Sequence, residues 1–210
     1  MKKMLKTALA LVLSFAMLLT FAACGNEETN STSKPGNSNT QTNTGNTGNT
    51  GNTGSSYTKG AITDGKYVNK WADLQVTISG DLANASAEDY ASFEDAKTES
   101  GLVLTNDDRS KQLAIVFEKL EKSVSDEEYL NVISTALKAQ YESIFGKCDV
   151  SNYEATVAGR TYASVKISIE NALTQTIHVR IVDGYAIAVL ATAQNDFDAA
   201  AIIANVQAAN

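Results

Sequence analysis

Residues 25–56 hold 27 Asn, Thr, Gly or Ser among 32 positions, and no core can be built from them. With almost no apolar side chain to bury, nothing in the tract offsets the entropy lost on ordering a chain. The Gly-Asn-Thr triplets starting at Gly45, Gly48 and Gly51 have a period of three, but a single Pro in the whole sequence excludes a collagen-like helix. The tract is therefore expected to be a disordered linker, 24–56 when the preceding Cys24 is counted with it. As a flexible coil it would span about 30 Å. It splits the 210 residues into a leader, 1–23, and a remainder, 57–210. The remainder is long enough for one domain that buries about two thirds of its unfolded surface.

The leader begins with Lys2, Lys3 and Lys6 and continues as an uncharged run from Thr7 to Ala23. That order is the layout of a secretory signal peptide. The run makes about 25 Å of helix, just short of a membrane span. It ends Phe21-Ala22-Ala23-Cys24-Gly25. This resembles the bacterial lipobox, an aliphatic residue and two small ones before an invariant Cys, with Phe21 where Leu is usual. The resemblance implies cleavage between Ala23 and Cys24 and a diacylglyceryl group on the Cys24 thiol. Two acyl chains, at about 0.8 kcal/mol per buried CH2, would hold the protein on a membrane. The expected location is the extracytoplasmic face of a cell membrane. Tethers of this composition resemble those of Gram-positive lipoproteins.

Without the leader the chain loses three of its 17 Lys and Arg and none of its 24 Asp and Glu, which leaves 14 minus 24, or −10. Such a surface repels phosphate backbones, so nucleic acid is not an expected partner. One His and two Cys are too few for a His/Cys metal cluster, and no metal or other cofactor is expected. A lipidated Cys24 would leave Cys148 without a disulfide partner, and Cys148 is expected to act as a small buried apolar residue. No EF-hand loop, phosphate-cradling glycine motif or nucleophile elbow occurs in the sequence.

The remainder reads as strands and helices. Leu74, Val76 and Ile78 alternate with polar residues as a half-buried strand, with Tyr67 on a short strand before it. Ala87 to Lys97 reads as a short polar helix. Lys111 to Lys119 reads as a strand with Leu113, Ile115 and Phe117 on one face. Ser125 and Glu128 have capping-box spacing, and Leu130, Ile133, Leu137, Tyr141 and Ile144 form one stripe of a helix ending before Gly146. Four segments follow, Tyr153 to Val157, Thr161 to Ile169, Leu173 to Val182 and Tyr185 to Thr192. Gly159-Arg160 and Asp183-Gly184 supply turns between them. Tyr185 to Thr192 is apolar on both faces and is expected to be a central strand. A last helix, capped by Asn195 or Asp196, carries Phe197, Ile202, Ile203 and Val206.

Strands, a helix, four antiparallel strands and a final helix argue for an α+β sandwich, an antiparallel sheet between helices. Gly65-Lys66-Tyr67-Val68-Asn69 with Leu74, Leu113 to Glu118, Ser125 with Tyr129-Leu130, Val157 to Arg160 and Asp183-Gly184-Tyr185 resemble a group of clostridial-type lipoproteins. Those are similar to the PsbP and Mog1 fold. Members often carry Pro and Trp after the second strand, where this chain has Ser79-Gly80-Asp81. The resemblance implies a fold and no catalytic residues.

For chemistry, His178 lies in Thr176-Ile177-His178-Val179-Arg180, opposite Ile177, Val179 and Ile181. If those three face the core with Val165 and Ile167, then Tyr162, Ser164, Lys166, His178 and Arg180 share the other face. Tyr162, Lys166, His178 and Arg180 are the candidate ligand face, two cations and a His on an acidic protein, suited to an anionic or peptide ligand. Carboxylates such as Glu94-Asp95 and Asp107-Asp108 leave open a cell-envelope hydrolase, but no residue is singled out as catalytic. The expectation is a binding module whose partner is an envelope protein or an extracellular ligand.

Overall fold

A computed structural model describes residues 57–209 apart from Ala96 and Asn171. The expected signal peptide, Ala23/Cys24 cleavage, Cys24 lipidation and linker all fall outside the described residues.

Strands β1 (Ala61–Thr63), β2 (Lys66–Asn69) and β3 (Leu74–Thr77) open the fold. Next come β4 (Ala83–Asn84) and helix α1 (Ala87–Ala91). Ser86 caps α1 in a reciprocal box with Asp89, and the helix is shorter than the expected stretch to Lys97. No apolar stripe sustains it, and Asp95 Oδ1 instead accepts from the Lys97 and Thr98 amides to turn the chain into a strand. That strand, β5 (Thr98–Thr105), pairs with β6 (Gln112–Lys119) through a register shift between Ser100 and Leu102. The sequence predicts no element over β5, whose alternation Gly101 and the shift interrupt. β6 is buried on both faces rather than one, from Gln112 to Glu118.

Helix α2 (Asp126–Phe145) carries the capping box that its sequence predicts. Ser125 Oγ accepts from the Glu128 amide at 3.2 Å, and Glu128 Oε2 accepts from the Ser125 amide at 2.9 Å. Leu130, Ile133, Leu137 and Tyr141 are buried as expected. At the last turn Ile144 is 40% exposed, and Phe145 packs beside Tyr141 in its place. Ser125→Ala is expected to lower stability by about 1 kcal/mol in urea unfolding, the usual cost of losing a cap.

Four long strands follow: β7 (Asp149–Val157), β8 (Arg160–Ile169), β9 (Leu173–Val182) and β10 (Tyr185–Ala193). Ala158-Gly159 joins β7 to β8 with φ of 52° and 73°, and Asp183-Gly184 joins β9 to β10 with φ of 48° and 78°. Both are two-residue turns of the kind that matches the twist of a hairpin. The first turn therefore sits one residue earlier than the expected Gly159-Arg160, and Arg160 begins β8. Helix α3 (Asp196–Ala204) is capped by Asn195, and β11 (Val206–Gln207) ends the described fold. Phe197 is 81% exposed rather than part of the core.

All strand pairs among the described residues are antiparallel. The large sheet runs β4-β5-β6-β10-β9-β8-β7, and the small one runs β1-β2-β3-β11. β10 is central, as its two apolar faces predict. One face of the large sheet, through Val116, Val165, Ile177, Val179 and Leu190, packs with Leu130, Ile133 and Leu137 of α2. The other face, through Leu104, Leu113, Phe117, Ile187 and Val189, packs with Tyr67, Leu74 and Val76 of the small sheet and Ile202 of α3. The fold is α+β in three layers, and its second cover is a small sheet together with a helix rather than a helix alone.

Candidate functional site

Alternation along β8 places Tyr162, Ser164, Lys166 and Ser168 on one face, beside Thr174, Thr176, His178 and Arg180 of β9. The register sets Ser164 opposite His178, Lys166 opposite Thr176 and Ser168 opposite Thr174. The four candidate ligand residues thus do share a face, interior at Tyr162 and His178 and half-buried at Lys166 and Arg180. Tyr162 is 0% and His178 3% exposed. Lys166 Nζ donates to Asp196 Oδ2 at 2.6 Å, and Thr174 Oγ1 donates to Asp196 Oδ1 at 2.9 Å. Those two bonds hold the Asp196 carboxyl below its ordinary range. Arg180 Nη2 donates to the Ala72 carbonyl at 2.8 Å, and its guanidinium lies 5.3 Å from the Tyr162 ring centroid. Both cations expected to receive an anion already serve internal partners. They tie the sheet to α3 and to the turn after β2.

His178 Nδ1 lies 2.8 Å from Ser164 Oγ, and Tyr153 of β7 sets its ring edge-on to the imidazole at 6.1 Å. His178 Nε2, Tyr162 Oη, Thr176 Oγ1 and Arg180 Nε make no hydrogen bond. Burial drives the His178 pKa down to about 4, so the ring is neutral at pH 7. A Ser-His contact is half of a nucleophile arrangement, but Ser164 is wholly buried, out of reach of a substrate carbonyl.

The carboxylates are also engaged locally. Glu94 accepts from Ser100 Oγ at 2.7 Å, Asp95 caps its own turn, and Asp108 accepts from the Ser110 amide at 3.0 Å. Glu118 is buried against α2, accepts from the Tyr129 hydroxyl, and has its pKa raised by burial. Cys148 is a buried free thiol whose pKa burial raises. Among the described residues, no group of three His, Cys, Asp or Glu is placed to hold a metal, and no helix is long and apolar enough to cross a membrane.

The open feature lies at the end of the large sheet. Among the described residues β7 pairs only with β8, and its residues from Ser151 to Glu154 are exposed. Between β7 and the start of α2 runs a groove of about 510 Å³ lined by Asp126, Glu127, Asn131, Asn152, Tyr153 and Glu154, among others. Asn152 Nδ2 donates to Asn131 Oδ1 at 2.9 Å across it, and Asp126 Oδ1 accepts from the Ile181 amide at 2.8 Å. Among the described residues no Lys or Arg lines the groove. The sequence predicts a strand at Tyr153 to Val157 but not this groove, because strand order is not written in any local pattern.

No protein-family model and no curated protein matches the chain. Among solved structures it is similar to the solution structure of cyanobacterial PsbP (CyanoP) from Synechocystis sp. PCC 6803. The two are 9% identical over 69% of this chain and 91% of that one, with a TM-score of 0.43. The α+β assignment stands on the strand order and layers themselves.

Proposed function

We propose that the protein is a lipoprotein held on the extracytoplasmic face of a cell membrane through Cys24, and that its folded part is a binding module docking along β7. The anchor rests on Phe21-Ala22-Ala23-Cys24 after an uncharged run, followed at once by the Asn/Thr/Gly/Ser tract. The finer assignment, a clostridial-type lipoprotein with a PsbP/Mog1-like domain, belongs to the same reading. It rests on the strand and turn residues from Gly65 to Asn69 and from Leu113 to Glu118. The observation that carries the binding role is the edge of β7, which no described strand pairs, beside an open groove. Exposed strand edges are templates for pairing with another chain.

Two readings on intact cells test this. The protein should fractionate with membranes, and Cys24→Ser should release it or leave it unprocessed. A Cys24→Ser chain cut at the same bond and still membrane-bound would defeat the anchor. A photo-crosslinking residue at position 154 should capture one dominant envelope partner, absent with Cys24→Ser. Capture no greater than from the same residue at Asp64 would defeat docking at β7.

A further inference from the structure

We propose that the docking partner at β7 is an extended, Lys- or Arg-bearing segment of another protein that adds to the large sheet as an eighth strand. The inference rests on the binding reading above and names the chemistry of what binds.

The edge groups can be assigned from the turn. A two-residue hairpin makes its flanking residues, Val157 and Arg160, a hydrogen-bonded pair, and such pairs alternate with unbonded ones along an antiparallel ladder. Val157, Ala155, Tyr153, Ser151 and Asp149 therefore turn their N–H and C=O groups toward β8. Thr156, Glu154, Asn152 and Val150 turn theirs to the free edge. The register of β7 with β8 is unbroken from Asp149 to Val157, without a bulge. Natural edges are blunted by shortness, bulges, Pro or Lys. β7 has no Pro, Lys or bulge over its nine residues, and its charges are the two carboxylates of Asp149 and Glu154. The opposite edge of the same sheet is β4, only two residues long.

Charge selects the occupant. The side chains of Asn152 and Glu154 point to the α2 side, where Asp126 and Glu127 complete the groove wall. An added strand lies about 4.8 Å from β7 and sends every second side chain over that groove. Cations at those positions would meet Glu154 directly across and Glu127 beyond it, the favourable cross-strand pairing. A second copy of this chain is disfavoured as occupant. Residues 57–210 hold 13 Lys and Arg against 22 Asp and Glu, a net of −9, and edge-to-edge pairing would set two acidic grooves side by side.

The test uses the full chain in non-ionic detergent and two blocked peptides. One alternates Lys with Thr or Val, and the other carries Glu in place of Lys. The Lys peptide should slow amide exchange at Val150, Asn152, Glu154 and Thr156 by about tenfold or more, and the Glu peptide should not. Glu154→Pro removes one outward N–H and no ladder bond, and it should abolish the response with an unchanged urea midpoint. Should that variant not fold, the pair Glu127→Lys and Glu154→Lys leaves the backbone intact and should weaken the Lys peptide by about tenfold. No slowing, an equal response to both peptides, or an undiminished response in these variants overturns the proposal. Protection without peptide overturns it too, by a second copy if it rises with protein concentration and by the chain's own residues if it does not. Capture in cells at position 154 with no response to the Lys peptide would defeat strand addition and leave the binding reading standing. A response to the Lys peptide without capture would support strand addition at β7 in solution and defeat the reading that an envelope protein docks there in cells.

Discussion

Lowering the pH from 7 to 5 is expected to remove about 2 kcal/mol of stability through His178 alone, rising to about 3 kcal/mol at pH 4. In the unfolded chain the imidazole titrates near its ordinary value of 6.5, whereas burial holds it at about 4 in the fold. Between those values the unfolded state binds more protons than the native one, so stability falls as pH falls through 6.5 toward 4. Above pH 7 both states are neutral there and the effect vanishes. The neighbours give the ring little reason to charge: Ser164 is a neutral partner, and Lys166 and Arg180 stand on the same face. Glu118 acts in the opposite direction, since burial raises its pKa and protonation there favours the fold as pH drops. The informative quantity is thus the difference between the native chain and His178→Asn, which cannot titrate and has an amide able to bond Ser164. The change in unfolding free energy from pH 7 to pH 5, from urea titrations, should differ between the two by about 2 kcal/mol. Parallel curves would show that His178 is not the buried neutral group described.

Gly101→Ala is expected to destabilise the fold by about 1–3 kcal/mol, the range for overpacking a filled core. A Cβ at this position would lie 2.4 Å from the Tyr67 hydroxyl oxygen and 2.5 Å from Phe117 Cε2. Both rings are buried, one from each sheet, so neither can swing into solvent. Gly60 abuts the same ring from another direction, with a Cβ site 2.5 Å from Tyr67 Cζ. Tyr67 is clasped between two glycines where the small sheet meets the large one. Phe117→Leu withdraws one of the two obstructing rings, so the double variant Gly101→Ala/Phe117→Leu should be less destabilised than the two single losses added together. Additive losses, or a cost for Gly101→Ala below about 0.5 kcal/mol, would mean that the backbone at the register shift gives way instead.

Local pattern carried most of the element assignment. The capping box at Ser125 and Glu128, the turn at Asp183-Gly184 and the unbroken apolar run of β10 each state a preference that neighbours in sequence settle among themselves. The polar face of β8 and β9 was also legible, because a strand's period of two puts Ser164, Lys166, His178 and Arg180 on one side wherever the strand lies. What that face meets was not legible. Lys166 finds Asp196 and Arg180 finds the Ala72 carbonyl across separations of 30 and 108 residues. The cations look available in sequence and are engaged in the fold. β5 escaped for a related reason: its Gly101 breaks the pattern, and only the rings of Tyr67 and Phe117 explain why a glycine stands there.

The sequence by itself determined the change of composition near residue 57, the acidic charge, the α+β class and which residues of each strand share a face. These follow from composition and from periodicity over a few residues, where the physics is local. Tertiary structure alone decided that the β8–β9 polar face is buried at Tyr162 and His178 with its cations engaged, that β7 ends the large sheet among the described residues, and that the start of α2 stands beside it to form an acidic groove. Strand order is set by which apolar faces bury each other best over the whole chain, a many-body choice that no local run of residues encodes.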